Sequence, residues 1–166
     1  MKNGKAIGPD GIPAEAWKAL EEEGINLLWT FMNKIMDCEM IPEKWRESWL
    51  IPIFKEKGDV QSCENYRGIK LTSHTLKILE RIIDGRLRQE ISIGRQQLGF
   101  MMGVSTVDVI FSLRQTMEKF REKQRVLHML FIDLEKAYDR VPCQELWRCL
   151  RESRVPEKYI RVIQET

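Results

Sequence analysis

The stretch Val126-Leu127-His128-Met129-Leu130-Phe131-Ile132-Asp133 constrains the fold more than any other part of the sequence. Its first seven residues form a nearly continuous apolar run of strand length, ended by the carboxylate of Asp133. Runs of this kind are typical of central β-strands that are covered on both faces. The stretch therefore predicts a buried strand that delivers an acidic side chain at its end.

Helical patterns dominate the rest of the chain, since apolar residues recur there every three or four positions. One stripe is Leu76, Leu79, Ile83 and Leu87; another, after a capping-box start at Ser105–Asp108, is predicted to bury Val107, Ile110, Leu113, Met117 and Phe120. A second strand is predicted over Ser48–Phe54, with Pro52 favouring an edge or a bulge. The sequence predicts an α+β protein. The first predicted helices cover residues 14–23, where Gly24 ends the helix, 25–36 and 43–47. Two more begin at about residues 73 and 105, and the last two lie near residues 142–151 and 156–164.

The bulk composition is that of an ordinary globular chain. The 166 residues carry a net charge of +2, which neither demands nor excludes a nucleic-acid partner. Four cysteines without CxxC spacing indicate reduced thiols rather than a zinc site or a disulfide framework. No apolar run approaches the roughly 20 residues that span a bilayer, so we expect no membrane partner and an intracellular protein of the cytoplasm and nucleus.

Asp133 is the first candidate for chemistry. A carboxylate fixed at the end of a buried strand is well placed to hold a divalent metal, and the turn that follows offers backbone N–H groups to a phosphate. The alternative is structural, because an aspartate after a strand is usually a turn former that bonds its own backbone. The residues alone leave both interpretations open.

Five segments in order resemble the polymerases of non-long-terminal-repeat retrotransposons. They are KAIGPDGIPAEAW, WRESWLIPIFKEKGD, ENYRGIKLTSHTLKILERIIDGRL, QLGF and FIDLEKAYDRVP, and together they cover essentially the whole chain. The last resembles the first conserved palm motif of reverse transcriptases, and the set is most similar to LINE-type elements of the RTE clade. The resemblance implies an RNA-directed DNA polymerase that acts on an RNA template, a DNA primer and dNTPs.

The resemblance also implies roles around the palm motif. Asp133 corresponds to the first aspartate that binds the two catalytic Mg²⁺ ions. Leu134 and Glu135 would offer backbone N–H groups to the triphosphate. Tyr138 occupies the position of the aromatic that stacks under the sugar and excludes a 2′-hydroxyl, although a core tyrosine with a satisfied hydroxyl is the structural alternative.

Further roles fall earlier in the chain, which the resemblance divides into fingers (residues 1–125) and the beginning of the palm (residues 126–166) of a right-hand polymerase. Lys55 and Arg67 match basic fingers residues that close over the triphosphate. Lysine binds phosphate as a point charge, and arginine makes a forked contact with phosphate oxygens, so both residue types suit this role. Ordinary surface solvation is the alternative for both. The residues implied beside the template are Gly8, Asp10, Gln97, Gly99 and Phe100.

The sequence also departs from the family pattern. It contains no Asp-Asp pair, which in this family supplies the second set of metal ligands, and 33 residues follow Asp133. Met101 and Val104 stand where relatives usually carry basic residues. We expect that the rest of the palm and the thumb are missing and that the chain is inactive alone. The alternatives are a non-catalytic nucleic-acid-binding remnant and a pseudogene product.

Overall fold

The structure is a computed structural model that describes residues 2–135, 137 and 140–166. Its contacts divide the chain into two compact units: one runs up to Ile91 and includes Trp147–Thr166, and the other is Ser92–Leu146. The described elements are α1 (Ala14–Ala19), α2 (Glu21–Cys38), β1 (Trp49–Phe54), β2 (Tyr66–Leu71), α3 (His74–Glu90), α4 (Thr106–Glu122), α5 (Cys143–Glu152) and α6 (Glu157–Glu165), with short 3-10 helices at Glu43–Trp45 and Cys63–Asn65.

The hydrophobic core of the first unit contains the predicted apolar stripe of α3, with Leu87 packed against its edge. Leu76 and Leu79 of α3 are each 1% exposed, and Ile160 of α6 is fully buried. Phe31 and Trp45 pack edge to face, with ring centroids 5.3 Å apart. The other core members come from the remainder of α2, α3 and α6 and the turns beside them: Met32, Ile35, Met36, Ile41, Ile83, Val155, Tyr159 and Val162.

Polar contacts tie α6 to the earlier helices. Arg161 Nη1 donates to Glu39 Oε2 at 2.6 Å, and Arg46 pairs with Glu165. Arg86 donates to the Tyr159 hydroxyl oxygen at 3.2 Å. The two ion pairs are partly exposed, so they fix the orientation of α6 more than they add to stability, and the apolar core carries most of the free energy of folding.

A two-stranded antiparallel hairpin completes the first unit. β1 pairs with β2 in unbroken register from Trp49↔Leu71 to Phe54↔Tyr66, and Pro52 lies opposite Gly68. In a two-stranded sheet each strand has a free edge, which is where a strand proline is tolerated. β1 is therefore confirmed within one residue, whereas β2 was not foreseen.

Gly24 does not end a helix as predicted. It is buried inside α2, and a Cβ built there would come within 2.6 Å of Leu20 Cβ. The break instead falls at Leu20 and Glu21, where Glu21 takes a φ of 45°. Gly24 is therefore needed because the chain packs closely against Leu20 at this position, and it does not act as a helix terminator.

The predicted central strand at residues 126–132 is wrong for this structure. The segment has no assigned secondary structure, and Leu130 is 84% exposed. A strand requires a hydrogen-bonding neighbour, and in the described part of the chain only β1 and β2 pair with each other. The predicted burial of α4 is wrong for a related reason, since no described residue of α4 is buried.

The start of α4 is confirmed as predicted. The Asp108 carboxylate accepts the Ser105 backbone N–H at 2.7 Å and the Ser105 hydroxyl at 2.8 Å. These bonds from Ser105 lower the pKa of Asp108. They stabilise the charged carboxylate and satisfy a donor that the helix itself leaves free.

The pKa of Asp108 predicts a pH-dependent helix start. A carboxyl whose folded pKa is lowered contributes stability above its unfolded pKa of about 3.9, and that stability is lost as the pH falls through the folded pKa. We expect α4 to fray at Ser105 below about pH 4. A ¹³C NMR titration of the Asp108 carboxyl should give a midpoint below the ordinary aspartate value, and Ser105→Ala should move it upward. A midpoint at or above the ordinary value would contradict the capping box.

Among the described residues, no helix is long and apolar enough to cross a membrane. The four cysteines, Cys38, Cys63, Cys143 and Cys149, are exposed free thiols.

Candidate functional site

The hairpin places the two predicted triphosphate-binding cations on one face. Arg67 lies opposite Ile53, and Lys55 follows Ile53 by two residues, so alternation along the strand puts Lys55 and Arg67 on the same side. Diagonal neighbours of this kind are typically about 7–8 Å apart. Both side chains are exposed, and the pair forms a small basic surface.

The turn between the strands is held by several hydrogen bonds. The Lys55 backbone N–H donates to the Asn65 carbonyl at 2.8 Å, and its ammonium donates to the Glu64 carbonyl at 2.7 Å. Asn65 Nδ2 donates to the Asp59 carbonyl at 2.8 Å, and the Tyr66 hydroxyl donates to the Val60 carbonyl at 2.9 Å. These bonds order the backbone around Lys55, while its ammonium must leave one carbonyl to reach a ligand.

The N-terminal turn lies against the end of β2. Gly8 is buried, and a Cβ built on it would fall 2.5 Å from the Thr72 carbonyl oxygen, so only glycine fits. The Gly11 N–H donates to the Gly8 carbonyl at 3.1 Å, and Asp10 Oδ1 accepts the Ile12 N–H at 3.3 Å. Gly8 and Asp10 therefore belong to the same unit as the hairpin, and their local roles are close packing and turn formation.

Two buried polar groups near this turn lack hydrogen-bond partners among the described residues. They are Asp10 Oδ2 and both ring nitrogens of His74, whose residue is 2% exposed at the start of α3. Ser73 caps α3 beside it by accepting the Leu76 N–H at 3.1 Å. No role was predicted for His74, and no pattern in the sequence indicates that its side chain is buried.

The loop at residues 94–103 contains the remaining template candidates. The Gln97 N–H donates to the Gly94 carbonyl at 2.9 Å, and Gln97 Nε2 donates to the Gly99 carbonyl at 3.0 Å. Phe100 has a φ of 59° and is 83% exposed. The structure thus groups Gln97, Gly99 and Phe100 in one tight turn with the aromatic ring projecting outward.

The candidate catalytic segment is exposed. Asp133 and Glu135 are both exposed, and Leu134 is 70% exposed. Arg140 Nη1 lies 4.0 Å from Glu135 Oε2. Tyr138, with Asp139, lies outside the described residues.

Comparison with known proteins decides the family. The family model described as "Reverse transcriptase (RNA-dependent DNA polymerase)" matches residues 53–165, which include the last two residues of β1, all of β2, the loop and Asp133.

The chain belongs to the reverse transcriptase family.

Its relatives are polymerases of non-long-terminal-repeat retrotransposons, as the five segments had indicated. It is 30% identical over 141 residues to "Probable RNA-directed DNA polymerase from transposon BS" of Drosophila melanogaster, covering 82% of this chain and 16% of that protein. It is 25% identical over 152 residues to the Pol polyprotein of a type-1 R2 element of Nasonia vitripennis, covering 91% and 14%. It is 27% identical over 145 residues to the X-element polymerase of Drosophila melanogaster, covering 85% and 16%. The chain thus spans about a sixth of the length of these relatives, and its narrower placement in the RTE clade stays a prediction.

The predicted site residues divide between the two units. Gly8, Asp10, Lys55 and Arg67 belong to the first, and the loop residues and Asp133 with its neighbours belong to the second. The register of the hairpin puts Lys55 and Arg67 on the same side of its strands, and the turn after Gly94 groups Gln97 with Gly99 and Phe100. The boundary between fingers and palm at residues 125 and 126 stays a prediction.

The donor chemistry of Asp133 fits Mg²⁺. Proteins often bind this ion through one or two carboxylates, with water and substrate phosphates completing the octahedron. Asp133 is an exposed carboxylate, while no group of three or more His, Cys, Asp or Glu among the described residues could hold a metal. Asp133 is therefore a candidate ligand around which the other described residues form no metal cage.

Proposed function

We propose that residues 1–166 supply the fingers and the first palm motif of a LINE-type reverse transcriptase. The observation that carries this proposal is the family match over residues 53–165, to which the hairpin adds a basic face formed by Lys55 and Arg67. The reaction is nucleotidyl transfer to a primer 3′-hydroxyl, directed by an RNA template. In this proposal residues 1–125 act as fingers and residues 126–166 begin the palm.

Each candidate residue then has a defined task. Lys55 and Arg67 bind the phosphates of the incoming dNTP, Lys55 as a point charge and Arg67 as a forked donor. Asp133 holds Mg²⁺, which when bound neutralises charge on the reacting phosphates. The backbone N–H groups of Leu134 and Glu135 orient the triphosphate, and Tyr138 excludes ribonucleotides. Gly8, Asp10, Gln97, Gly99 and Phe100 lie beside the template.

The chain by itself is expected to be inactive. Two-metal transfer needs carboxylates from separate strands, and the sequence contains no Asp-Asp pair to complement Asp133. A primer-extension assay with Mg²⁺, an RNA template and purified residues 1–166 should give no product above background. Product that disappears in Asp133→Asn would contradict this expectation.

Binding of dNTP tests the hairpin separately from catalysis. Lys55→Gln should weaken binding of a fluorescent dNTP analogue by about tenfold, since a hydrogen bond to a charged group is worth roughly 1.5–3 kcal/mol. Lys57→Gln is the matched control, because it removes the same charge from the tip of the same turn. Equal affinity in the two variants would remove Lys55 from the triphosphate site.

The second candidate function is nucleic-acid binding without catalysis. The lack of an Asp-Asp pair in the sequence favours it. It predicts that log affinity falls with log salt by about 0.7 to 0.9 per phosphate contacted. Binding that does not vary with salt, or no binding, would eliminate this function.

A further inference from the structure

A cluster of arginines in the second unit has no role in the site described above. Arg114, Arg121 and Arg125 line an open cavity of about 600 Å³ together with the apolar side chains of Met117, Phe120, Leu127 and Met129. Met117 and Met129 are each 44% exposed, and Phe120 is partly buried. The cavity therefore combines cations with an apolar wall, and its volume lies within the roughly 300–1,000 Å³ of typical ligand sites.

The helical repeat sorts the cations of α4 into two faces. Arg114 and Arg121 are seven residues apart, two helical turns or about 10.5 Å, and so lie above one another on the cavity side. Lys119 and Lys123 fall on the opposite side of the helix, roughly 140–180° around the axis at 100° per residue. Arg125 lies beyond the end of α4. Its N–H donates to the Phe120 carbonyl at 2.9 Å, which turns the chain back at the helix end. Arg125 therefore lines the cavity on the same side as Arg114 and Arg121.

The charge of the cavity is not neutralised within the described residues. Glu118 is the one acidic side chain in its lining, and its Oε2 accepts a hydrogen bond from Gln115 Nε2 at 3.2 Å. None of the three arginines forms a salt bridge with another described residue. Three guanidinium groups against one carboxylate leave a net positive site that favours an anionic ligand.

We propose that this surface, formed by Arg114, Arg121 and Arg125 with Met117, Phe120 and Met129, binds single-stranded nucleic acid. Guanidinium groups make forked hydrogen bonds to phosphate oxygens, and apolar or aromatic side chains accept the faces of unpaired bases. A duplex keeps its base faces stacked inside, so it meets the arginines without using the apolar wall. The inference rests on the proposed function for its ligand class, but it adds a strand-binding surface separate from Asp133, Lys55 and Arg67.

The test compares two double variants of the full chain 1–166 that lose the same charge from the same helix. The probe is a labelled single-stranded RNA of about ten nucleotides, within the usual site sizes, titrated by fluorescence anisotropy between about 50 and 200 mM KCl. Arg114→Gln with Arg121→Gln should reduce the salt slope by about 1.4, which is two phosphate contacts at roughly 0.7 each, and weaken binding at least about tenfold. Lys119→Gln with Lys123→Gln should leave the slope close to that of the unmodified chain.

Arg114→Lys with Arg121→Lys provides the second measurement, because it keeps the charge and removes the fork. It should retain the salt slope while affinity falls. Circular dichroism confirms that each variant keeps its helices.

Four results would overturn the proposal. Equal losses in the arginine and lysine variants would show a non-specific charge effect, and a duplex bound as tightly as the single strand would remove the role of the apolar wall. No binding by the unmodified chain would overturn both this inference and nucleic-acid binding by the isolated chain. Normal binding that is unaffected by the arginine changes overturns the inference alone.

Discussion

Asp133→Asn is expected to reduce DNA synthesis by at least about a thousandfold in a natural polypeptide that joins residues 1–166 to an Asp-Asp pair. The substitution keeps the size of the side chain and removes the negative charge that we propose holds the divalent ion. Groups that stabilise developing charge in a transition state are commonly worth about 10²–10³ in rate, and a direct metal ligand should lie at or above that range. The measurement is single-turnover primer extension on an RNA template with saturating dNTP.

Asp37→Asn is the matched control for Asp133→Asn. Asp37 is an exposed aspartate of α2, so the chemical change is identical at a position with no proposed role, and the rate should stay within about twofold, as expected for a surface substitution. An Asp133→Asn protein that keeps a tenth of the rate or more would remove Asp133 from the metal site. If only Asp37→Asn is inactive, the proposed assignment of the carboxylates is wrong.

The helices could be predicted from sequence because their signals are local. Ser73 caps α3 through its own side chain, the Ser105–Asp108 box starts α4, and prolines precede α5 and α6. Each of these signals acts within one turn of helix, so the surrounding structure need not be known. The core stripe of α3 also follows, since a regular apolar face must be covered.

The strands could not be predicted equally well because a strand is stabilised by its neighbour. β2 contains Gly68, and its charged residues Arg67 and Lys70 are three positions apart, so a strict alternation is missing and the local pattern is weak. Pairing with β1 nevertheless orders it. Residues 126–132 show the opposite case: the apolar pattern is strong, but the described chain offers it no pairing partner. An exposed apolar segment of this kind is an aggregation hazard.

The candidate site was predicted by resemblance, and its geometry was not. Lys55 and Arg67 are twelve residues apart in the sequence, and only the register of the hairpin puts them on one face. The arginines of α4 carry a helical spacing that is readable in the sequence, but the cavity beside them depends on where Leu127 and Met129 return. Motifs thus identify residue types, whereas the fold decides which of them share a surface.

Leu79→Ala is expected to lower the free energy of unfolding by about 2–5 kcal/mol, the usual cost of truncating a buried leucine. Leu79 is 1% exposed in the core that α2, α3 and α6 share. The substitution removes apolar contacts and leaves a cavity that rigid helices close only in part. Urea unfolding followed by far-UV circular dichroism measures the change, because helices of both units contribute to that signal.

Leu130→Ala is the decisive comparison for Leu79→Ala. The sequence pattern predicts that Leu130 lies in a buried central strand and that its truncation costs as much as that of Leu79. The structure leaves Leu130 84% exposed, which predicts a change within about 0.5 kcal/mol. All five tryptophans belong to the first unit, so fluorescence would miss an effect at Leu130 that circular dichroism records. A cost of 2 kcal/mol or more at Leu130, within the usual range for a buried leucine, would mean that the segment is packed in solution as the sequence predicts.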